Sequence, residues 1–397
     1  MNVSKRIEAM QYSPIRKLAP FAEDAKKTGK KVYHLNIGQP DIETPREFFD
    51  AVKNFDEKVL EYAFSQGMPQ TIESFANYYQ SLGINFTKDD IYITNGGSEA
   101  LFFAIVATCD YGDEILVPEP FYTNYNGFSK SAGAVVVPVP TSAADGFKLP
   151  DLAVWEKKIT PRTRAILLSN PGNPTGAVYD MADMEKVKAL ALKHDLFIIS
   201  DEVYKEMVYD GLKFTSFAQL EGVEDRVILT DSISKRYSAC GARIGCIASK
   251  NIEIMKNVMK LCQGRLCVAT IEQVGAAALA AVAPKYMEDV VVEYEKRRNI
   301  VHSALNNIKG VVCEKPRGAF YIMAKLPVDN AENFAKWLLT DFDVNGATVM
   351  VAPGEGFYAT EGLGKDEIRI SYVLKEEDLK AAMNILDEGI RAYNAKG

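Results

Sequence analysis

The segment "VILTDSISK", residues 227–235, passes from a short apolar run into a polar turn that ends on a lysine. Residues 227–230 predict a buried strand, because β-branched and aliphatic residues are followed directly by turn formers. In open α/β sheets, ligands bind beyond the carboxyl ends of the strands, which is where Lys235 would lie. The small, glycine-containing sequence at 238–249, "SACGARIGCIAS", indicates a crowded backbone around this lysine. Withdrawal from water favours a neutral, nucleophilic amine, so Lys235 is predicted to attack an electrophile.

Similar apolar runs recur along the chain and decide the fold class. They are "IYIT" (91–94), "ILV" (115–117), "VVVP" (135–138), "AILLS" (165–169) and "LFIIS" (196–200), with helical patterns at 69–82, 99–108 and 181–194. Continuous apolar strands that alternate with helices predict an α/β fold, in which helices cover both faces of a mostly parallel sheet. From about residue 286 a long charged helix, two strands and two further helices predict a smaller α+β domain.

The composition of the chain limits the kinds of partner that the protein is expected to bind. The 397-residue chain has a formal net charge of −7 and ordinary globular proportions, which argues against nucleic acid or an anionic membrane surface as the main partner. No apolar signal segment or membrane-length run is present, so we expect a cytoplasmic protein. Six cysteines without a CxxC pair and three scattered histidines predict reduced thiols and no metal site.

Four further motifs place polar groups at predicted element ends. "ITNGGSEAL" (93–101) offers backbone N–H groups and a helix dipole to an anion such as phosphate. "LLSNPGNPTG" (167–176) projects the amide of Asn173 beyond a strand, although Asn and Pro are also ordinary turn residues. Asp201 in "FIISDEVY" ends a buried strand, and Arg369 lies inside the apolar strand "EIRISYV" (367–373). The buried carboxylate needs a cation or a strong hydrogen-bond donor, and the guanidinium needs an anionic partner.

Together these groups predict a ligand that carries an anionic group, a protonated nitrogen and an aldehyde. Pyridoxal phosphate has all three on one ring. With "NPTG", "SDEVY" and "SISK" followed by Arg243 in this order and spacing, the sequence resembles the class I aminotransferases, which are aspartate-aminotransferase-like enzymes of fold type I. The resemblance runs from about residue 33 to residue 373 and implies a transaminase. Such an enzyme moves an amino group between an L-amino acid and a 2-oxo acid.

The resemblance assigns a role to each matching residue. Lys235 matches the lysine that bonds to the cofactor aldehyde and then moves protons, and Asp201 matches the partner of the ring nitrogen. Tyr204 and Asn173 match hydrogen-bond partners of the ring oxygen, and Tyr122 matches the aromatic residue stacked on the ring. Gly38, Asn173 and Arg369 match groups that hold the substrate α-carboxylate. The residues that match the phosphate site are Gly97, Ser98, Ser232, Ser234, Arg243 and, from a neighbouring subunit, Tyr62.

The resemblance also implies an organisation for the chain. We expect an N-terminal segment (1–45) that joins the small domain, a large cofactor-binding domain (46–285) and a small C-terminal domain (286–397). A homodimer with shared active sites is expected as well.

The sequence indicates the side chain of the amino-acid substrate less clearly than it indicates the cofactor. Aspartate with 2-oxoglutarate is the first expectation, with aromatic or alanine donors close behind. Arg16 and Arg265 are candidates for a distal carboxylate by general location, and a surface role is an equal alternative for each. A carbon–sulfur β-lyase would use the same lysine, aspartate and arginine. The chain has no basic helix-turn-helix before residue 20, which counts against a regulatory cofactor-binding module, and "GEGFYATEG" fails the GxGxxG pattern of a nucleotide-binding enzyme.

Overall fold

The structure, a computed structural model, describes residues 2–395. Its strands are Lys31–His34 (β1), Ile91–Thr94 (β2), Glu114–Glu119 (β3), Val135–Pro140 (β4), Thr163–Ser169 (β5), Phe197–Asp201 (β6), Val227–Ser232 (β7), Gly245–Ala248 (β8), Tyr321–Lys325 (β9), Ala347–Met350 (β10), Ala352–Pro353 (β11) and Glu367–Ser371 (β12). Its helices are Lys5–Glu8 (α1), Ala19–Lys27 (α2), Arg46–Lys53 (α3), Pro69–Ser81 (α4), Gly97–Thr108 (α5), Asn124–Ala132 (α6), Leu152–Glu156 (α7), Met181–His194 (α8), Ile233–Arg236 (α9), Ile252–Arg265 (α10), Thr270–Ala278 (α11), Pro284–Asn306 (α12), Ala331–Thr340 (α13) and Glu376–Asn394 (α14).

A seven-stranded sheet forms the large part of the molecule, in the order β2-β8-β7-β6-β5-β3-β4. The pairs from β7 to β4 are parallel, whereas β8 runs antiparallel to both of its neighbours. The six strands predicted from apolar runs are all present, and the predicted α/β class is confirmed. Strand β8 was not predicted, because its small residues suggested only a crowded turn.

The sheet is apolar on both faces, as strands covered by helices must be. Alternate residues point to opposite sides: Ile199 and Ile228 pack with α5 and α10, whereas Ile198 and Val227 pack with α8. All four side chains are buried. The sheet is therefore held between two helical layers, and its polar groups concentrate at the strand ends.

A second group of strands lies in the C-terminal third. Strands β11, β12 and β9 form an antiparallel sheet, and β1 pairs with β10 in parallel, which joins the N-terminal segment to the C-terminal part of the chain. Helices α12, α13 and α14 contribute to one apolar core with these strands. The domain limits at residues 45 and 285 stay predictions. Within residues 2–395, no helix has the length and apolar character needed to cross a membrane.

Candidate active site

Several elements end at one edge of the large sheet and surround a single cavity of about 350 Å³. Strands β6 and β7 end there, β8 begins there because it is antiparallel, and α5 starts there after β2. All of the predicted site residues except Tyr62 line this cavity: Gly38, Gly97, Ser98, Tyr122, Asn173, Asp201, Tyr204, Ser232, Ser234, Lys235, Arg243 and Arg369.

Tyr62 lies outside the cavity of its own subunit. Its side chain is 82% exposed, and the neighbouring Val59, Leu60 and Phe64 are also largely exposed. Its expected role requires a second subunit, so the position of Tyr62 in one chain leaves that role a prediction.

One wall of the cavity presents hydroxyl, amide and guanidinium donors. The hydroxyl of Ser232 lies 2.7 Å from that of Ser234 and donates to the carbonyl of Ile244 at 2.9 Å. Beside Ser232, α5 begins at Gly97, where the first backbone N–H groups of a helix have no partner within the helix. Gly96, in the left-handed region at φ 75°, admits the Arg243 guanidinium, which a side chain at position 96 would meet. This donor set suits a phosphate dianion.

Arg243 itself has an uncommon backbone conformation. Its φ of 55° lies in the left-handed region, which non-glycine residues seldom adopt outside tight turns and functional sites. Its guanidinium donates to the carbonyls of Cys240 at 3.1 Å and Asn95 at 3.4 Å. No carboxylate in residues 2–395 forms an ion pair with it, so its charge is available to an anion in the cavity.

Asp201 provides a buried carboxylate to the same cavity. It is 7% exposed and accepts a hydrogen bond from Tyr125 at 2.8 Å. Burial raises the pKa of Asp201 to about 6. Within the described part of the chain, no lysine, arginine or histidine lies at ion-pair distance from it. A protonated ring nitrogen would supply the missing cation.

Lys235 lines the same cavity as the phosphate-type donors and Asp201. Its ammonium donates to the carbonyl of Gly38 at 2.6 Å and lies 3.8 Å from the sulfur of Cys240. Cys240 donates to the Ser234 carbonyl at 3.1 Å and lines the cavity. The lysine is half-buried and lines the cavity.

Arg369 is 1% exposed, and its contacts within residues 2–395 include no carboxylate. One guanidinium nitrogen donates to the Asn173 side chain at 3.0 Å, and another donates to the carbonyl of Asn36. The guanidinium carbon lies 4.4 Å from the ring centroid of Tyr321. Burial lowers the pKa of Arg369. An anionic ligand would balance this charge, as a bidentate α-carboxylate does.

Two tyrosines in the site were not predicted from the sequence. Tyr125 is the donor to Asp201, and the hydroxyl of Tyr321 lies 2.9 Å from that of Tyr204. Tyr125 lies in the first turn of α6, and it is a buried tyrosine whose local sequence resembles that of a core residue. Tyr321 lies in an apolar strand where a tyrosine resembles a core residue, so no signal distinguished it.

The two arginines proposed for a distal carboxylate have different surroundings. Arg16 lines the cavity. Arg265 does not line it: its guanidinium lies 3.7 Å from Glu99 and donates to the carbonyls of Ser65 and Ile93.

These donors and charges match a phosphorylated aldehyde with a basic ring nitrogen, so fold and cavity together define the class of pyridoxal phosphate enzymes. The chain belongs to the family described as aminotransferase class I and II, whose model matches residues 30–386. It is a transaminase that depends on pyridoxal phosphate.

Three relatives illustrate the similarity. Aromatic-amino-acid aminotransferase 2 of Thermococcus litoralis is 32% identical over 98% of this chain and 99% of its own length. Aspartate aminotransferase of Rhizobium meliloti is 30% identical over 96% of this chain and 94% of its own. The structure of alanine aminotransferase from Pyrococcus furiosus superimposes with a TM-score of 0.90, at 32% identity, over 98% of this chain and 100% of that one.

Proposed function

We propose that this enzyme transfers the amino group of L-aspartate to 2-oxoglutarate, and that the cavity residues act in the roles predicted above. One observation carries the proposal: three cations that no carboxylate pairs at close range, Lys235, Arg243 and Arg369, face one cavity together with the buried Asp201. Several relatives are named aspartate aminotransferase, which supports the choice of donor.

Each group has a distinct chemical task in this proposal. Arg243, Ser232, Ser234 and the start of α5 hold the phosphate. Asp201 keeps the ring nitrogen protonated, and Arg369 orients the α-carboxylate. When bound, pyridoxal phosphate supplies an electron-accepting ring that stabilises negative charge at the substrate α-carbon. Lys235, whose amine belongs to the lining of the same cavity, would take up and release the substrate α-proton.

Removal of the lysine amine tests the assignment of Lys235. We expect Lys235→Ala to lower transamination by at least about 1,000-fold, because the variant lacks both the covalent link and the proton carrier. Phosphate and ring contacts should still retain the cofactor, measured by equilibrium dialysis. The exposed Lys256→Ala on α10 is the matched control and should be unaffected. Near-normal turnover by Lys235→Ala would refute the proposal.

The donor is tested in the same assay. L-aspartate, L-tyrosine and L-alanine are each offered with 2-oxoglutarate, and the 2-oxo acid products are quantified. A second candidate preference, for neutral donors, is favoured by the apolar Ile15 and Ile37 in the cavity lining. Release of pyruvate and ammonia from a thioether amino acid, without consumption of 2-oxoglutarate, would instead indicate a carbon–sulfur β-lyase.

We also propose a homodimer in which Tyr62 of one subunit reaches the phosphate site of the other. The exposed apolar residues at 59–64 and the absence of Tyr62 from the cavity of its own subunit support this arrangement.

A further inference from the structure

A second cavity, of about 760 Å³, shares the short helix α9 with the active-site cavity. Ser234 and Lys235 line the active-site cavity, whereas Ile233 and Arg236 line the second one. Residues three apart lie on the same side of a helix, so the two cavities meet different sides of α9. The volume is within the range of about 300–1,000 Å³ that is usual for small-molecule sites. A ligand in the second cavity would therefore contact the helix that carries the reactive amine.

Most of the lining of the second cavity is apolar. It comes from α4, from α9, from the turn after α11 and from the start of α12. The larger aliphatic and aromatic members are Phe75, Ile233, Leu279, Val282, Met287 and Val291. This part of the cavity suits an apolar group of the ligand, which would leave water on binding.

Two opposite charges in the lining meet at one tyrosine. The Tyr78 hydroxyl donates to the Glu206 carboxylate at 2.6 Å, and the guanidinium carbon of Arg236 lies 3.8 Å from the centroid of the Tyr78 ring. Among residues 2–395, no lysine, arginine or histidine lies at ion-pair distance from Glu206. Arg236 is 4% exposed and pairs with Asp231 at 3.2 Å, but its Nε–H finds no acceptor in the described chain. The second cavity thus combines a carboxylate that lacks a cation with a buried donor that lacks an acceptor.

An α-amino acid with a large apolar side chain has the chemistry that matches this lining. Its ammonium group would bind Glu206, its carboxylate would accept from Arg236, and its side chain would fill the apolar part. An amine without a carboxylate would leave the Arg236 donor unsatisfied, and a fatty acid would leave Glu206 without a cation. Glu288, the other carboxylate of the lining, is exposed on α12 and is therefore solvated.

We infer that the second cavity is an effector site for an apolar α-amino acid, and that its occupation slows turnover through α9. Arg236 connects the two sites, because it would bind the effector and is adjacent to Lys235 in the chain. An effector that holds Arg236 restricts the motion of the helix from which Lys235 moves a proton. This coupling takes Lys235 in its proposed role, whereas binding in the second cavity does not depend on that role.

Calorimetric titration of the holoenzyme with N-methyl-L-phenylalanine tests the binding. This probe keeps both charges and the apolar side chain, but its secondary amine is not an amino-group donor. Ala280→Phe adds a ring to the lining and should raise the Kd at least about 10-fold. Ala281→Phe makes the same change at the next residue, which is exposed and outside the lining, and should leave the Kd unchanged. Equal Kd values for the two variants would overturn the inference.

A second variant tests the ammonium contact. Glu206→Gln removes the charge but keeps an acceptor for Tyr78, and should raise the Kd of N-methyl-L-phenylalanine by about 10- to 100-fold. The exposed Glu221→Gln, outside the lining, is the control and should leave that Kd unchanged. The Kd of 3-phenylpropionate, which has no amine, should be the same in Glu206→Gln as in the wild type. An equal loss for both probes, or no loss for either, would contradict the predicted contact.

Turnover tests the coupling. With the best donor of the panel above and both substrates saturating, N-methyl-L-phenylalanine should lower kcat about 5-fold or more in the wild type and in Ala281→Phe, and should have no effect in Ala280→Phe. A probe that bound without changing kcat, or that lowered kcat equally in all three proteins, would refute the effector role. If the wild type transaminated no donor at all, the proposed function would fail, while the calorimetric result would still decide whether the second cavity binds the probe.

Discussion

The carboxylate of Asp201 accepts from a tyrosine where a buried acid would ordinarily need a cation. Its pKa of about 6 lies above the value near 3.9 of an unfolded chain, so its charged form opposes folding. In the cofactor-free protein this penalty is absent below about pH 4, grows between pH 4 and 6, and is complete above pH 6. Bound cofactor would relieve it through the protonated ring nitrogen.

Asp201→Asn tests this linkage because the amide does not ionise. We expect the variant to gain stability relative to the wild type as pH rises from 4.5 to 8, by on the order of 2 kcal/mol. The measurement is urea unfolding of both cofactor-free proteins across that range, in which all other titrating groups cancel. A difference that stays constant with pH would contradict the assignment. Transamination by the variant should fall by at least about 100-fold, since the ring would lose its counterion.

Functional residues at strand ends could be predicted from the sequence better than functional residues inside helices and strands. Asp201, Asn173 and Lys235 were predictable because chain direction brings the ends of parallel strands to one edge. Tyr125 and Tyr321 were not, because a tyrosine that packs in a core and a tyrosine that donates to a ligand share the same local pattern. Only the three-dimensional structure reveals which hydroxyl faces a cavity.

Among the elements, β7 and the one-turn helix α9 are joined by a buried ionic cluster. Asp231 at the end of β7 lies 2.6 Å from Lys205 and 3.2 Å from Arg236, and accepts from Tyr79 at 3.0 Å. Burial acts to raise the pKa of Asp231, but the two cations outweigh it and hold that pKa below its ordinary value. Because Arg236 is next to Lys235, this cluster fixes the helix that carries the reactive amine.

We therefore expect Asp231→Asn to lower the free energy of unfolding by about 3–5 kcal/mol, since two buried cations would lose their counterion. Asp24→Asn makes the same change in an exposed pair with Lys27 and should cost under about 1 kcal/mol. Urea unfolding of the two variants measures both values. A loss below about 1 kcal/mol in Asp231→Asn would show that the cluster does not anchor α9.

The strands of the seven-stranded sheet were predicted from the sequence with small errors at their ends, except β8. Strands β1, β10 and β11 were not predicted either. The residues of β8, Gly245–Ala248, follow directly on the polar turn, and a strand of small residues lacks the β-branched signal that marked the others. The pairing of β8 between β2 and β7 depends on contacts distant in sequence, which local pattern does not encode.

At the scale of the whole molecule, the proposed homodimer places Tyr62 of one subunit at the active site of the other. The role of Tyr62 can therefore be tested only in the dimer. We expect Tyr62→Phe to weaken cofactor binding by about 10- to 100-fold, the worth of one hydrogen bond to a charged phosphate, and to leave the dimer intact. Equilibrium dialysis gives the affinity, and sedimentation gives the oligomeric state.

A mixed dimer of Tyr62→Ala and Lys235→Ala chains decides which subunit the tyrosine serves. If Tyr62 reaches the partner, one site of the mixed dimer has a native tyrosine and a native lysine, and activity at limiting cofactor matches half that of the wild type. If Tyr62 served its own chain, the site that retains Lys235 would lack the tyrosine, and activity would need excess cofactor. The second result would refute the shared site.

The antiparallel return of β8 has an evolutionary consequence. Ser232 at the end of β7 pairs with Gly245 at the start of β8, so residues 233–244 form a closed loop whose two ends are locked in register. An inserted or deleted residue there would shift Arg243 relative to Lys235 while the strands stayed in place. Selection therefore acts on the length of this loop as strictly as on its side chains, and descendants of this gene should accumulate substitutions in it long before they tolerate a gap.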